Sequence, residues 1–320
     1  MRALPILILA LLGVVALHVL LPLDSLLELR RADPALATAL LVELRLPRTL
    51  LATGYGAVLG MTGAALQATF ANPLASPDIT GSSSGAAFGA VLGGYWLGVT
   101  SPLALAGFGA AGAALTLLLL LILAGRRADT SSLLLAGLAI ALAAGAGTSL
   151  LLALAPSPFA FYDAFDWLMG SFTDRSLPQA VAALIPAGIA CALLALRSSA
   201  LDMLSLGEDI AASSGIQPRR LSIEVVALSA IAVGACVSVC GAIGFVGLIA
   251  PFVARRLSRG HPGRALLPAA VIGAILLLAA DLLVRLAPAG RTIPVGVVTT
   301  ALGTPLFIWI VVTMRRTVTS

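Results

Sequence analysis

The sequence predicts an all-α polytopic membrane protein with about ten transmembrane helices. Of its 320 residues, 60% are hydrophobic and only 10% are charged, whereas soluble domains average about 25% charged residues. A membrane-spanning helix needs roughly 20 apolar residues, and the chain holds about ten apolar runs of that order. We therefore expect one transmembrane domain, residues 1–320, built by packing helix on helix.

The apolar runs follow one another along the whole chain. They lie at 4–21, 48–70, 81–99, 103–124, 132–154, 178–196, 222–242, 244–257, 265–286 and 295–314. The first run is read as a retained span, because Leu20-Leu21-Pro22 does not fit the small-residue cleavage site of a signal peptide.

The basic residues predict the orientation of the chain. All 19 are arginine, and none is lysine. If the N-terminus is cytoplasmic and the spans alternate, twelve arginines fall on the cytoplasmic side and seven on the outer side, as the positive-inside rule favours. Both termini are then predicted to be cytoplasmic. The net charge of +5 is therefore explained by arginines that orient the chain in the membrane, and we expect no nucleic-acid partner.

Several kinds of chemistry are excluded by composition. A P-loop requires a lysine, so this chain cannot supply that ATP site. Cys191, Cys236 and Cys240 lie inside apolar runs and are predicted to be small core residues. His18 and His261 have no metal-ligand spacing, so no metal site is expected.

One polar segment, LSLGEDIAASSGI at 204–216, interrupts the apolar runs. Ser205 and Glu208 have the spacing of a capping box, and Gly215 suits a helix C-terminal cap. A helix of about two turns is therefore predicted within 205–216, on the cytoplasmic side.

The surface of this helix combines two kinds of residue. Glu208 and Asp209 form an acidic tip at its N-terminus, and Leu206 and Ile210, four residues apart, share an apolar face. This pattern favours a docking element for a cytoplasmic partner. A solvated helix that merely connects two spans remains the alternative.

The segment LGEDIAASSGI resembles the coupling helix of FecCD/BtuC-like permeases, the membrane subunits of type II ATP-binding-cassette importers. Other segments agree, including RLPRTLLATGYGAVLGMTGAALQATFANPLASPDITG from 45, GAIGFVGLIAPFVARRL from 241, and IPVGVVTTALGTPLFIWI from 293. The resemblance runs from about residue 45 to the C-terminus.

The resemblance implies a function and a set of partners. The chain is expected to be a homodimeric permease in a bacterial cytoplasmic (inner) membrane, carrying an iron–siderophore, haem or cobalamin. Two ATPase subunits would bind ATP and Mg, so no cofactor is expected in this chain, and a substrate-binding protein would dock outside. The ATPase-coupling residues are Ser205, Leu206, Gly207, Glu208, Asp209, Ile210 and Gly215.

The resemblance also suggests roles for outer arginines. Arg45, Arg48 and Arg285, with Arg291 as a further candidate, are expected to dock the binding protein. They could instead anchor the chain at the membrane surface. Asp281 lies one helical turn before Arg285 and could pair with it. The family's Glu before the last span is absent here, so the docking contacts are expected to differ from those of the family.

On the cytoplasmic side, Asn72, Pro73 and Pro77 resemble the family's turn after the second span, near the ATPase. Proline cannot continue the hydrogen bonding of a helix, so the helix is expected to end before this turn.

Two other classes of protein compete with this interpretation. An ion-gradient-driven transporter usually needs ionisable groups within its spans, and Asp281 is the main candidate. A membrane-embedded enzyme would need a catalytic cluster, yet the sequence has neither H-E-x-x-H nor G-x-S-x-G. We expect a transport subunit that is not itself an enzyme.

Overall fold

The protein, seen here as a computed structural model, has helices as its only regular secondary structure in the residues that the structure describes, which are 3–125, 130–155, 158–287 and 293–318. The α-helices are α1 (Ala3–Leu20), α2 (Leu23–Ala32), α3 (Pro34–Ala39), α4 (Leu46–Thr69), α5 (Ser82–Val91), α6 (Pro102–Ala124), α7 (Thr130–Ala153), α8 (Pro158–Leu168), α9 (Leu177–Ala195), α10 (Ser198–Leu204), α11 (Glu208–Ser213), α12 (Pro218–Cys240), α13 (Val246–Leu257), α14 (Leu266–Arg285) and α15 (Val295–Val318). π-helical turns at Leu40–Arg45 and Leu92–Trp96 continue neighbouring helices, and 3-10 turns occupy Pro77–Thr80 and Gly263–Ala265.

Every predicted apolar run lies on a helix, and several helices have membrane-spanning length. Within the described ranges, six stretches are long and apolar enough to cross a bilayer: Pro34–Thr69, Pro102–Ala124, Ser131–Ala153, Leu177–Ala195, Pro218–Cys240 and Gly263–Arg285. The apolar helices Leu4–Leu20 and Val295–Ile308 are shorter. The expected all-helical membrane fold is thus confirmed.

Two of the predicted runs form unusually short helices. In the run 81–99, α5 has 10 residues and its π-helical extension has 5. In the run 244–257, α13 has 12 residues. Both are too short to span a bilayer alone, which needs roughly 20 residues.

Glycines allow the principal helix pairs to approach closely. A Cβ on Gly56 would lie 2.4 Å from the carbonyl oxygen of Gly273, and one on Gly60 would lie 2.0 Å from that of Ala269. These contacts join α4 to α14. Gly85 and Gly112 join α5 to α6 in the same way. These glycines therefore serve tight helix packing, as small residues do in other membrane bundles.

The bundle has two ends, which we name by their residues. The arginine end contains Arg45, Arg48 and Arg285, where α1 ends and α4 begins. The loop-helix end contains α10 and α11, where α9 ends and α12 begins.

Candidate coupling and docking sites at the two ends of the bundle

The polar segment at the loop-helix end forms two short helices. Helix α10 covers Ser198–Leu204 and α11 covers Glu208–Ser213. Gly207 separates them with a φ of +121°, a conformation that glycine adopts readily. The predicted helix is therefore present, but it begins three residues later than Ser205.

The predicted capping box is wrong. The N-cap residue of α11 is Gly207, with no side-chain cap hydrogen bond. Ser205 closes α10 instead, and its hydroxyl donates to the carbonyl oxygen of Asp202 at 2.7 Å. The glycine break moves the start of α11 past Ser205, so its hydroxyl serves the preceding turn.

The predicted C-terminal cap at Gly215 is confirmed. Gly215 has a φ of +83°. Its N–H donates to the carbonyl of Ala212 at 3.0 Å, and the N–H of Ile216 donates to that of Ala211 at 3.0 Å. This pair of bonds is a Schellman motif, which satisfies the last carbonyls of a helix.

Buried contacts hold the loop helices against the bundle. Leu201, Leu204 and Ala211 are buried in a cluster that includes Leu66 of α4 and Leu221 of α12. An ionic group also lies beside them, since Glu224 of α12 pairs with Arg197 at 3.0 Å and with Arg220 at 3.1 Å.

A second anchor joins α10 to the start of α14. The backbone N–H of Gly263 donates to Asp202 Oδ1 at 2.8 Å. A Cβ at Gly263 would lie only 1.8 Å from the carbonyl oxygen of Ser198, so the two backbones touch. Helix α10 is therefore joined directly to the turn that leads into α14.

The opposite surface of the loop helices faces away from the bundle. Glu208 and Asp209 are exposed, and Leu206 and Ile210 are 60% and 49% exposed. An exposed apolar patch that is rimmed by polar residues is typical of a protein-binding surface. The predicted combination of an acidic tip and apolar residues is therefore present at the surface.

At the arginine end, Arg45 is turned into the protein. It is only 6% exposed. Its guanidinium group donates to the carbonyl oxygens of Val19 at 2.8 Å and Leu20 at 2.9 Å. These carbonyls end α1 and have no partner within that helix, so Arg45 acts as its cap.

Arg48 belongs to a buried polar network with Asp281. Its Nε donates to Asp281 Oδ2 at 2.7 Å, and its Nη2 donates to Asp281 Oδ1 at 2.9 Å. The ring of His18 joins the network, with Nε2 2.8 Å from Asp281 Oδ2 and Nδ1 2.8 Å from Thr49 Oγ1. His18 and Asp281 are almost completely buried, so these contacts replace the water they lack.

The suggested pairing of Asp281 with Arg285 is wrong. Both oxygens of Asp281 are engaged by Arg48 and His18. Arg285 instead donates to the carbonyl oxygens of His18 and of Leu21, the latter at 2.6 Å. Arg285 thus binds the free carbonyls at the end of α1 and not Asp281, its neighbour on α14.

The three arginines also line an open cleft of about 260 Å³. Its other walls include Leu44, Phe172 and Asp174. Arg48 keeps 18% of its side chain exposed, so part of its charge reaches the cleft. Arg291, the fourth predicted docking residue, lies outside the described residues.

The turn after α4 has the expected break. The helix ends at Thr69, four residues before Pro73. Asn72 Oδ1 accepts a hydrogen bond from the N–H of Leu74 at 2.9 Å. Pro77 is buried and begins the 3-10 turn Pro77–Thr80. Asn72, Pro73 and Pro77 therefore shape the path of the chain back into the bundle.

The sequence prediction missed the network around His18. His18 was considered only as a metal ligand, but in the described ranges no three His, Cys, Asp or Glu side chains gather as a metal site. The usable signal was Asp281, because an acidic residue within an apolar span requires a partner.

Comparison with known proteins agrees with this architecture. The FecCD transport family matches residues 5–313. The chain is 38% identical to the vitamin B12 import system permease protein BtuC of Vibrio cholerae, covering 87% of this chain and 84% of the relative. It is also 38% identical to BtuC of Citrobacter koseri, covering 86% and 83%.

A solved structure extends the likeness to the whole fold. It is the inward-facing conformation of a protein classed as a metal-chelate type ABC transporter, with a TM-score of 0.86 and 29% sequence identity. The likeness covers 98% of this chain and 99% of the other. The chain belongs to the FecCD transport family, as its sequence motifs predicted.

Proposed function

We propose that this chain is the permease subunit of an ATP-binding-cassette importer that moves a large metal chelate into the cytoplasm. The exposed pair α10–α11, fixed to the bundle by Asp202 and Ala211, is the observation that carries the proposal. The names of its relatives support a vitamin B12 or metal-chelate cargo. Cobalamin, iron–siderophore and haem are the candidate cargoes.

The proposed orientation places the loop-helix end in the cytoplasm and the arginine end outside, with both termini cytoplasmic. The arginine bias of the sequence supports it. The proposed location is a bacterial inner membrane, which the bacterial relatives support.

In this proposal a separate ATPase drives the transport. Two ATPase subunits, which bind ATP and Mg, dock beneath two copies of the permease. Ser205, Leu206, Gly207, Glu208, Asp209, Ile210 and Gly215 form the contact. Leu206 and Ile210 would enter an apolar groove, and Glu208 and Asp209 would meet basic groups beside it. Closure of the ATPases would then pull on α10 and, through Gly263, on α14.

The substrate-binding protein would dock at the arginine end. Arg48 and Arg285 line the cleft, and a guanidinium can hold further acceptors beyond those already bonded. Arg45 contributes less in this proposal, because burial commits it to the end of α1. Arg291 remains a docking candidate.

An ion-gradient-driven transporter is the second candidate. The observation that favours it is the buried network of Asp281, His18 and Arg48 within membrane helices, since ionisable groups in spans often mark ion pathways. In this structure the network links α1, α4 and α14 through hydrogen bonds and an ion pair.

Reconstitution separates the two candidates. The chain, its ATPase and its binding protein would be placed in liposomes, and uptake of labelled cobalamin, a ferric siderophore and haem would be followed with and without ATP. The proposal predicts ATP-dependent uptake of one cargo and its loss in the double variant Glu208→Arg/Asp209→Arg. Uptake that ignores ATP and persists in that variant would establish the gradient-driven candidate instead.

A further inference from the structure

The chain returns into the bundle between α4 and α5. After α4 ends at Thr69, residues 70–76 reverse direction, and the 3-10 turn Pro77–Thr80 follows. Pro77 contacts Gly247 of α13 so closely that a Cβ added to Gly247 would lie 2.8 Å from Pro77 Cδ. Gly247 in turn contacts Gly63 of α4, since a Cβ added to Gly63 would lie 2.0 Å from the Gly247 carbonyl oxygen.

These contacts fix the depth of the turn. Gly63 lies six residues before the end of α4, which is about 9 Å along a helix that rises 1.5 Å per residue. The carbonyl of Ile79 meets Gly137 of α7, seven residues from the start of that helix, or about 10 Å. Two independent helices thus place Pro77–Thr80 about 10 Å inside the bundle. Because α5 starts at this depth, it has room for only a short helix.

This re-entrant turn carries a carboxylate. Asp78 is exposed although α7 and α13 enclose the residues on either side of it. Its Oδ1 accepts a hydrogen bond from Ser83 at 3.2 Å. Non-helical backbone at membrane depth is tolerated where it is buried in protein, as Pro77 and Thr80 are, or where it lines a water-filled cavity. The exposure of Asp78 favours a cavity on its side of the turn, and an ionisable residue there marks a functional site by default.

We propose that Asp78 lines the translocation path and selects cargo by charge. The inference rests on the proposed function. The Asp78 carboxylate, when ionised, favours chelates that are cationic, or that are neutral and present N–H and O–H donors. It disfavours polyanionic chelates, because like charges in a confined site of low dielectric repel strongly. Ser83 acts as a positioning residue, since its hydroxyl orients the carboxylate.

Charged thiol reagents test the electrostatic potential near Asp78 directly, and the experiment does not require the cargo to be known. The full importer in nanodiscs would carry Ser76→Cys as a reporter, with Cys191, Cys236 and Cys240 replaced by alanine. Its reaction rates with a trimethylammonium and a sulfonate methanethiosulfonate would be compared. Asp78→Asn should lower the ratio of cationic to anionic rates roughly tenfold. The matched variant Glu28→Gln, which removes a carboxylate from α2 at the other end, should leave the ratio unchanged.

Three results would overturn the inference. The rate ratio could change less than twofold in Asp78→Asn, or Ser76→Cys could react with neither reagent. ATP-driven uptake of a ferric tris-catecholate, a polyanion, could also proceed equally in the wild type and in Asp78→Asn. Failure of the proposed function is distinguishable, because it would abolish ATP dependence and leave the thiol rates unaffected.

Discussion

The two ends of the bundle both carry charged residues, but at one end these residues bind groups inside the protein and at the other they are exposed. At the arginine end, Arg45 is buried on backbone carbonyls, and Arg48 binds Asp281 inside the protein. At the loop-helix end, Glu208 and Asp209 are exposed. Charge at an end of the bundle therefore does not by itself indicate a docking surface. The partners that a charged group already has decide its role.

The largest expected effect follows from removing Asp281. Asp281→Ala leaves Arg48 and His18 without their shared acceptor in a buried site, which should cost about 3–5 kcal/mol. The apparent melting temperature in detergent would fall steeply. Asp209→Ala, which removes an exposed carboxylate at the other end, should change stability by no more than about 0.5 kcal/mol. Equal melting temperatures for the two variants would refute the contrast between the ends.

Arg45→Gln should have the next largest effect. It removes the guanidinium donors from the Val19 and Leu20 carbonyls and should destabilise the protein by about 1–3 kcal/mol. Arg30→Gln on exposed α2 is the control and should melt like the wild type. If Arg45→Gln instead kept its melting temperature and lost only affinity for the binding protein, Arg45 would be a docking residue.

Gly215→Ala should have a smaller and more local effect. A side chain at a φ of +83° costs about 1 kcal/mol, although no atom obstructs the Cβ. The C-terminal cap of α11 would loosen, and ATPase binding should weaken severalfold. Gly188→Ala in α9 is a matched control with the same open space, and a helical alanine there should be neutral or stabilising. Titration of the ATPase against both variants would measure the difference.

The smallest effect is expected for Ser205→Ala. Its hydroxyl donates to Asp202 at the exposed end of α10, so stability should fall by less than about 0.5 kcal/mol. A true capping residue would cost about 1 kcal/mol. A loss of about 1 kcal/mol in the free energy of unfolding, measured by thermal denaturation, would show that Ser205 caps α11 after all.

The sequence predicted the fold well because membrane helices are specified locally. Twenty apolar residues form a helix in lipid whatever their neighbours are, so the runs could be read from hydropathy alone. The exposed residues of α11 were also predictable, because their polarity contrasts with the flanking spans.

The sequence could not show where long-range polar partners lie. Asp281 is four residues from Arg285 but 233 residues from Arg48, which it binds. The choice depends on how α4 and α14 meet through Gly56, Gly60 and Gly273, which is a tertiary event. The depth of Asp78 is similarly set by packing against Gly247 and Gly137.

One pair of measurements tests the contrast between the two ends most directly. Asp281→Asn and Glu208→Arg/Asp209→Arg would each be assayed for melting temperature and for ATPase binding per folded molecule. We expect a crossed result, in which Asp281→Asn melts earlier but binds the ATPase normally, whereas the loop-helix variant melts normally but fails to bind. If the loop-helix variant bound the ATPase like the wild type, α10–α11 would not be the coupling element.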